Sequence, residues 1–205
     1  MLLLHAWWGL NDDVRAYAKR LREEGFAVEM PDLYGDGRTA DTIAGAEKLR
    51  DELESSWPDF SPGTPLGRAR GAIDAAAARL AESGPYGIVA WSLGAFHGWE
   101  LVKRGVGRPA AFVVHYGIYD VGDVSGADAP EVLGHVAEQD QFDPPEAFAA
   151  LEAALRQEGV TVTHHTYPNT RHWFAEPSRP EYDRAAAELA WTRTLDLLRR
   201  RLGQR

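Results

Sequence analysis

The chain has 205 residues, 44% of them hydrophobic and 26% charged, which suits one globular domain (1–205) with a full core and excludes a disordered chain. Its formal net charge of −9 argues against nucleic acid as a partner, because an acidic surface repels a phosphate backbone. Cysteine is absent, so disulfides, thiolate metal sites and a cysteine nucleophile are excluded.

The opening run Met1–Trp8 is apolar but short and lacks a basic flank, unlike a signal peptide. No stretch approaches the ~18 apolar residues of a membrane span. A cytoplasmic protein with no membrane partner is therefore expected. Six apolar runs bounded by turn residues read as strands: Leu2–His5, Ala27–Met30, Gly87–Trp91, Ala110–His115, Val132–Ala137 and Val160–Tyr167.

Helical spacing fills the stretches between them. Val14, Ala18 and Leu21 mark a first helix, capped by Asn11 or Asp12 and stopped by Gly25. Ala69, Ile73, Ala76, Ala77 and Leu80 mark a second, ending at Ser83-Gly84-Pro85. Phe96, Trp99 and Val102 suggest a third. Pro145, Phe148, Leu151 and Leu155 mark a fourth, stopped by Gly159. A last helix runs from about Asp183 to Leu202, where Arg199, Arg200 and Arg201 complement its C-terminus. The segment from Asp32 to Thr42, rich in Gly and Asp, follows a strand end and fits the alternation poorly, and that from Trp57 to Gly67, with three prolines, reads as a loop between helices.

Alternating strands and helices imply an α/β protein of three layers, a mostly parallel six-stranded sheet with helices on both faces. Ligands in such folds bind outside the carboxyl ends of strands, where strand order reverses. Residues just after strands therefore carry the chemistry.

The run Gly87–Trp91 ends abruptly in Ser92, with Ala90 two before it and Gly94 two after. A serine nucleophile on a strained strand-to-helix turn needs small flanking residues, although the usual first glycine is here Ala90. A helix-capping serine would also fit this short pattern. The hydroxyl needs a base, and the base needs an orienting acid, in the chain order Ser, acid, His. Asp140 lies just past the strand Val132–Ala137, and His172 follows the last strand by a short loop. Glu138 and Asp143 also flank the acid position. The oxyanion donors expected are the backbone N–H groups of Leu93, after the nucleophile, and of Trp7, after the first strand. His164 and His165 are adjacent on a strand and face opposite sides, while His115 and His135 sit in apolar runs, so no metal site is expected.

These residues carry a resemblance. Leu2–Asn11, with the sequence LLLHAWWGLN, and Pro31-Asp32-Leu33-Tyr34-Gly35 resemble the opening of dienelactone hydrolase family proteins. The turn at Ser92, the stretch Gln139-Asp140-Gln141-Phe142 and the stretch His172-Trp173-Phe174-Ala175 fit the same template in order. The resemblance implies an α/β-hydrolase fold without a large lid, trimmed at its N-terminus. It also implies cofactor-free hydrolysis of a small ester or lactone by a triad of Ser92, Asp140 and His172. Trp8, Tyr34, Phe142 and Trp173 map to positions that line the family pocket.

Three positions depart from the family pattern. Serine replaces cysteine at position 92, and alanine replaces the glutamate at position 6 that manages a thiol's ionisation. Glu176 replaces an arginine that binds the substrate carboxylate, and a negative group there would repel an anionic substrate. A serine esterase for a neutral ester or lactone is thus expected. The competing functions are a small-acyl amidase or peptidase, which uses the same triad, and a non-catalytic binding protein on a hydrolase scaffold.

Overall fold

The structure, a computed structural model, describes residues 1–117, 124 and 129–203. Its elements are β1 (Leu2–Leu4), α1 (Asp12–Glu23), α2 (Ile43–Glu54), α3 (Pro65–Glu82), β2 (Gly87–Trp91), α4 (Leu93–Lys103), β3 (Ala111–His115), β4 (Glu131–Ala137), α5 (Pro145–Gln157), β5 (Val162–Tyr167) and α6 (Arg184–Leu202). The five strands form one parallel sheet in the order β1-β2-β3-β4-β5.

The helix ends follow side-chain chemistry. Asn11 caps α1 by accepting the Val14 N–H at 3.2 Å, and Asp183 caps α6 through the Ala186 N–H at 2.9 Å. The C-terminal arginines of α6 also reach acids on other elements, Arg199 to Glu24 and Arg200 to Glu131.

Every residue of β2 and β3 is buried, as a strand covered on both faces requires. Alternation divides them cleanly. Phe112 points to α4, where its ring lies so close to Gly98 that a methyl there would stand 3.0 Å from Cε2. Trp91 and His115 point the other way, stack on each other at 5.3 Å, and meet Tyr17 of α1, which in turn packs on Trp191 of α6. Helices α1 and α6 thus cover one face, and α4 the other.

Three expectations need correction. Among the described residues the sheet has five strands, not six. Ala27–Met30 makes only an isolated parallel bridge between Glu29 and Leu2. Glu29 donates to Met1 O and accepts from Leu3, each at 2.9 Å, and the N-terminal ammonium continues the pairing at Ala27 O, but Pro31 has no N–H to carry it further. Second, the five named strands follow chain order, and the reversal comes only at the bridged segment, which lies beside β1 on the edge opposite β2 and so puts the switch at the ends of β1 and β2. Third, α2, the helix before the proline-rich loop, had been given no residues. Its buried stripe is only Ala46, Leu49 and Leu53, and Thr42 caps it through the Gly45 N–H at 3.2 Å.

Candidate active site

The site forms at the carboxyl end of the sheet. Strand β2 ends at Trp91, and Ser92 turns the chain into α4 with φ 45° and ψ −115°. A non-glycine residue held at positive φ costs about 1–3 kcal/mol and persists only where its surroundings fix it. They do so here. The Ser92 N–H donates to His115 O at 3.0 Å, and Ser92 O accepts from Ala95 at 2.8 Å. The turn is crowded by backbone: a methyl on Gly94 would clash with the Leu4 carbonyl and stand 2.8 Å from His5 O. A methyl on Gly117 would stand 3.0 Å from Ser92 O. Ala90, by contrast, sits fully buried in the sheet between Leu4 and Val114, where its methyl is part of the core.

His172 follows β5 on a tight loop and is buried to 3% exposure. Its Nε2 lies 3.0 Å from Ser92 Oγ. Its Nδ1 lies 2.7 Å and 2.9 Å from the two carboxylate oxygens of Asp140. Asp140 is itself fixed from β4, because its Oδ1 accepts the N–H groups of Phe142 and Asp143, each at 2.9 Å. The imidazole is clamped between Tyr116 at 4.7 Å and Phe142 at 4.9 Å. The three expected residues therefore meet in one hydrogen-bonded line.

The alternative acids do not take the same place. Asp143 Oδ2 stands 3.7 Å from His172 Nδ1, beyond hydrogen-bond length, and Glu138 accepts the Asn169 N–H. Asp140, Asp143 and His172 are also the cluster, among the described residues, whose ligand atoms lie close enough to hold a metal ion, all within 4.8 Å. The pairing of His172 Nδ1 with Asp140 accounts for that closeness without an ion.

A cleft of roughly 160 Å³ opens over Ser92, lined by Trp7, Arg50, Glu54, Leu93, Phe142, Asp143 and His172. The N–H groups of Trp7 and Leu93 have no acceptor among the described residues. That of Leu93 begins α4, where the helix N-terminus favours negative charge. Of the four expected pocket side chains, only Phe142 lines the cleft, and it is half-exposed. Trp8 and Trp173 are buried behind it and pack edge-to-face at 5.1 Å. Tyr34 is buried too, and its hydroxyl donates to Trp7 O at 2.7 Å.

Glu176 does not face the cleft. It is buried, accepts the Tyr116 hydroxyl at 2.8 Å, and burial pushes its carboxyl up to about 8. The expected repulsion of an anionic substrate at this position therefore falls away. The charges that do line the cleft come from α2: Arg50, which lies 5.6 Å over the Trp7 ring, and Glu54, whose carboxyl burial raises. Sequence reasoning missed both because it missed α2, and the signal available was Thr42 followed by the spacing of Ala46, Leu49 and Leu53.

The model of the dienelactone hydrolase family matches residues 1–202. The chain belongs to the dienelactone hydrolase family. Among its relatives, a carboxymethylenebutenolidase of Pseudomonas putida is 27% identical over 197 residues, 93% of this chain and 81% of that protein. A relative from Azospirillum brasilense is 39% identical over a shorter stretch of 83 residues, 40% of this chain and 35% of its own. The fold matches an α/β-hydrolase enzyme from a Medee basin deep-sea metagenome library, with a TM-score of 0.72 and 13% identity over 99% of this chain and 84% of that one. The three-layer α/β architecture is thus an α/β-hydrolase fold, and family membership makes the chain a hydrolase of the ester and lactone class. Among the described residues no helix is long and apolar enough to cross a membrane.

Proposed function

We propose that the chain hydrolyses a small carboxylic ester or lactone through an acyl-enzyme on Ser92. The observation that carries this is the line Ser92 Oγ, His172 Nε2, His172 Nδ1 and Asp140, with every link at 3.0 Å or less. Asp140 accepts from Nδ1–H, which leaves Nε2 free to take a proton.

Ser92 Oγ attacks the acyl carbon while its proton passes to Nε2. The carbonyl oxygen becomes an oxyanion and accepts from the N–H groups of Trp7 and Leu93. Each such donor is worth about 3 kcal/mol in the transition state. Collapse breaks the C–O bond, and the leaving alkoxide takes the proton from Nε2. In a lactone that alcohol stays tethered to the acyl group. Water then attacks the acyl-enzyme as His172 takes its proton, and the carboxylic acid departs from restored Ser92.

The size of the cleft favours a short acyl group, and Phe142 offers an apolar wall. Arg50 supplies a positive charge at the same cleft, moderated by Glu54 at 3.8 Å. An anionic ester or lactone is therefore as acceptable as a neutral one. The test is treatment with a fluorophosphonate and location of the adduct by peptide mass spectrometry. Labelling of Ser92, lost in Ser92→Ala and suppressed in His172→Ala, is expected; folded wild-type protein left unlabelled at Ser92 would overturn the proposal.

A further inference from the structure

Behind the cleft, the loop that carries Trp7 is held at both of its flanking carbonyls by side chains that never reach the substrate. His5 is fully buried at the end of β1. Its Nε2 lies 3.0 Å from the backbone nitrogen of Leu33. An amide N–H can only donate, so Nε2 is the bare nitrogen of the ring and Nδ1 carries the hydrogen. That hydrogen is aimed at Ala6 O, 2.6 Å away. The carbonyl it holds belongs to the same peptide group as the N–H of Trp7. A trans peptide is planar, and its C=O and N–H point in opposite directions. Fixing Ala6 O from behind therefore fixes the direction of the Trp7 N–H in front. Donation to the carbonyl also polarises the group and makes its N–H a stronger donor.

We propose that His5 is a positioning residue for the oxyanion donor of Trp7, working through the Ala6–Trp7 peptide group. This rests on the assignment of Trp7 N–H as an oxyanion donor made above.

The support for His5 is built from the Asp32–Gly37 turn. Asp32 Oδ1 accepts the Tyr34 N–H at 3.0 Å and its Oδ2 accepts the Gly37 N–H at 2.7 Å, which shapes the turn that presents Leu33 to His5. Asp32 Oδ1 itself lies 3.6 Å from His5 Nε2, too far to compete for it. The Gly9 N–H is a second, longer donor to Ala6 O at 3.2 Å. On the other side of Trp7, the Tyr34 hydroxyl holds Trp7 O at 2.7 Å. The Pro31–Gly35 segment thus serves the site from behind, through Leu33 to His5 and through Tyr34 to Trp7. It explains why Tyr34 is buried away from the cleft.

Two conservative variants separate positioning from mere packing. Asn at position 5 carries an amide nitrogen at the same remove from the backbone as Nδ1, so it can still donate to Ala6 O but loses the Leu33 contact. Gln places its polar atoms near Nε2, so it can accept from Leu33 but loses the donor to Ala6 O. We expect His5→Gln to lower kcat about 10- to 100-fold on a p-nitrophenyl ester, less than full loss of a donor, with His5→Asn within about five-fold of wild type. KM should stay within about three-fold in both, because ground-state binding does not use the oxyanion donor. Affinity for an alkylboronic acid, which forms a tetrahedral anion on serine, should fall in step with kcat. Melting temperatures of both variants identify any loss due to folding alone. Three outcomes overturn the inference: His5→Gln keeping wild-type kcat and boronate affinity, both variants losing activity equally, or the loss appearing in KM. Fluorophosphonate labelling of wild type keeps the two proposals apart. Failure to label Ser92 overturns the triad and this inference with it, whereas labelled, active Ser92 with an unaffected His5→Gln overturns only the role of His5.

Discussion

Replacing Asp140 by asparagine tests how the site is built. The side chain is fully buried and accepts four contacts: two N–H groups of its own loop and two approaches from His172 Nδ1. Asparagine has the same shape. Its carbonyl oxygen can keep the Phe142 and Asp143 N–H groups, so the loop survives at a cost of about 1 kcal/mol. Its amide then faces Nδ1 and donates to it. The imidazole hydrogen moves to Nε2, which can no longer accept the serine proton. In a triad this tautomer error lowers kcat about 10⁴-fold, or about 5.5 kcal/mol of transition-state stabilisation. Asp143, 3.7 Å away, should matter far less, with Asp143→Asn losing under about ten-fold. The assay is steady-state hydrolysis of a p-nitrophenyl acyl ester by each variant, beside urea melts at the same pH. Wild-type turnover in Asp140→Asn, or a larger loss in Asp143→Asn, would refute the assignment of the acid.

Other perturbations follow from the same geometry. Gly94→Ala should destabilise by about 2–4 kcal/mol, since its methyl meets the Leu4 and His5 backbone rather than movable side chains, and a thermal melt reads the loss. Burial holds His97 and His115 neutral, each pushed down to about 3. The unfolded chain binds more protons than the folded one between about pH 6.5 and 3, so stability should fall with acid in that window by up to ~1.4 kcal/mol per pH unit per histidine. His115, whose ring nitrogens have no partner among the described residues, offers the check: His115→Phe should flatten the curve in denaturant titrations from pH 7 to 4. Glu176 has the opposite sign, because its carboxyl is raised to about 8 and its contribution is lost as pH rises from the unfolded value through 8. Glu176→Gln should therefore gain stability relative to wild type at pH 9 while retaining activity, measured by melts and initial rates. Arg50→Gln should raise KM for an anionic ester several-fold and leave that for a matched neutral ester unchanged, a split that would fail if Arg50 did not meet the substrate.

The proposed triad was legible because each member has a local signature. Ser92 ends a fully apolar strand beside Gly94, and Asp140 and His172 each follow a strand end in the required order. The walls of the cleft were not legible in the same way. Trp8, Tyr34 and Trp173 are large aromatics next to the site, and sequence position cannot tell a ring that faces substrate from one packed behind it. The direction each ring takes decides it, since Trp7 is as buried as they are and lines the cleft while these three do not. Helix α2 escaped notice because few of its residues are buried, so its apolar stripe is thin, and with it went Arg50 and Glu54. Ala27–Met30 looked like a strand by composition and does lie along β1, but Pro31 removes the next N–H and the pairing stops at a single bridge. Glu176 was misjudged for the reverse reason. Its place four residues after His172 suggested the cleft, whereas the loop turns it inward onto Tyr116.

The proposed reaction runs through a covalent acyl-enzyme on Ser92. Rapid acid quench of the protein turning over p-nitrophenyl acetate, followed by peptide mapping, tests it most directly. A single acetyl group is expected on the peptide that bears Ser92, absent from Ser92→Ala. Full hydrolytic activity with no acetyl group at Ser92, or with activity undiminished in Ser92→Ala, would contradict it.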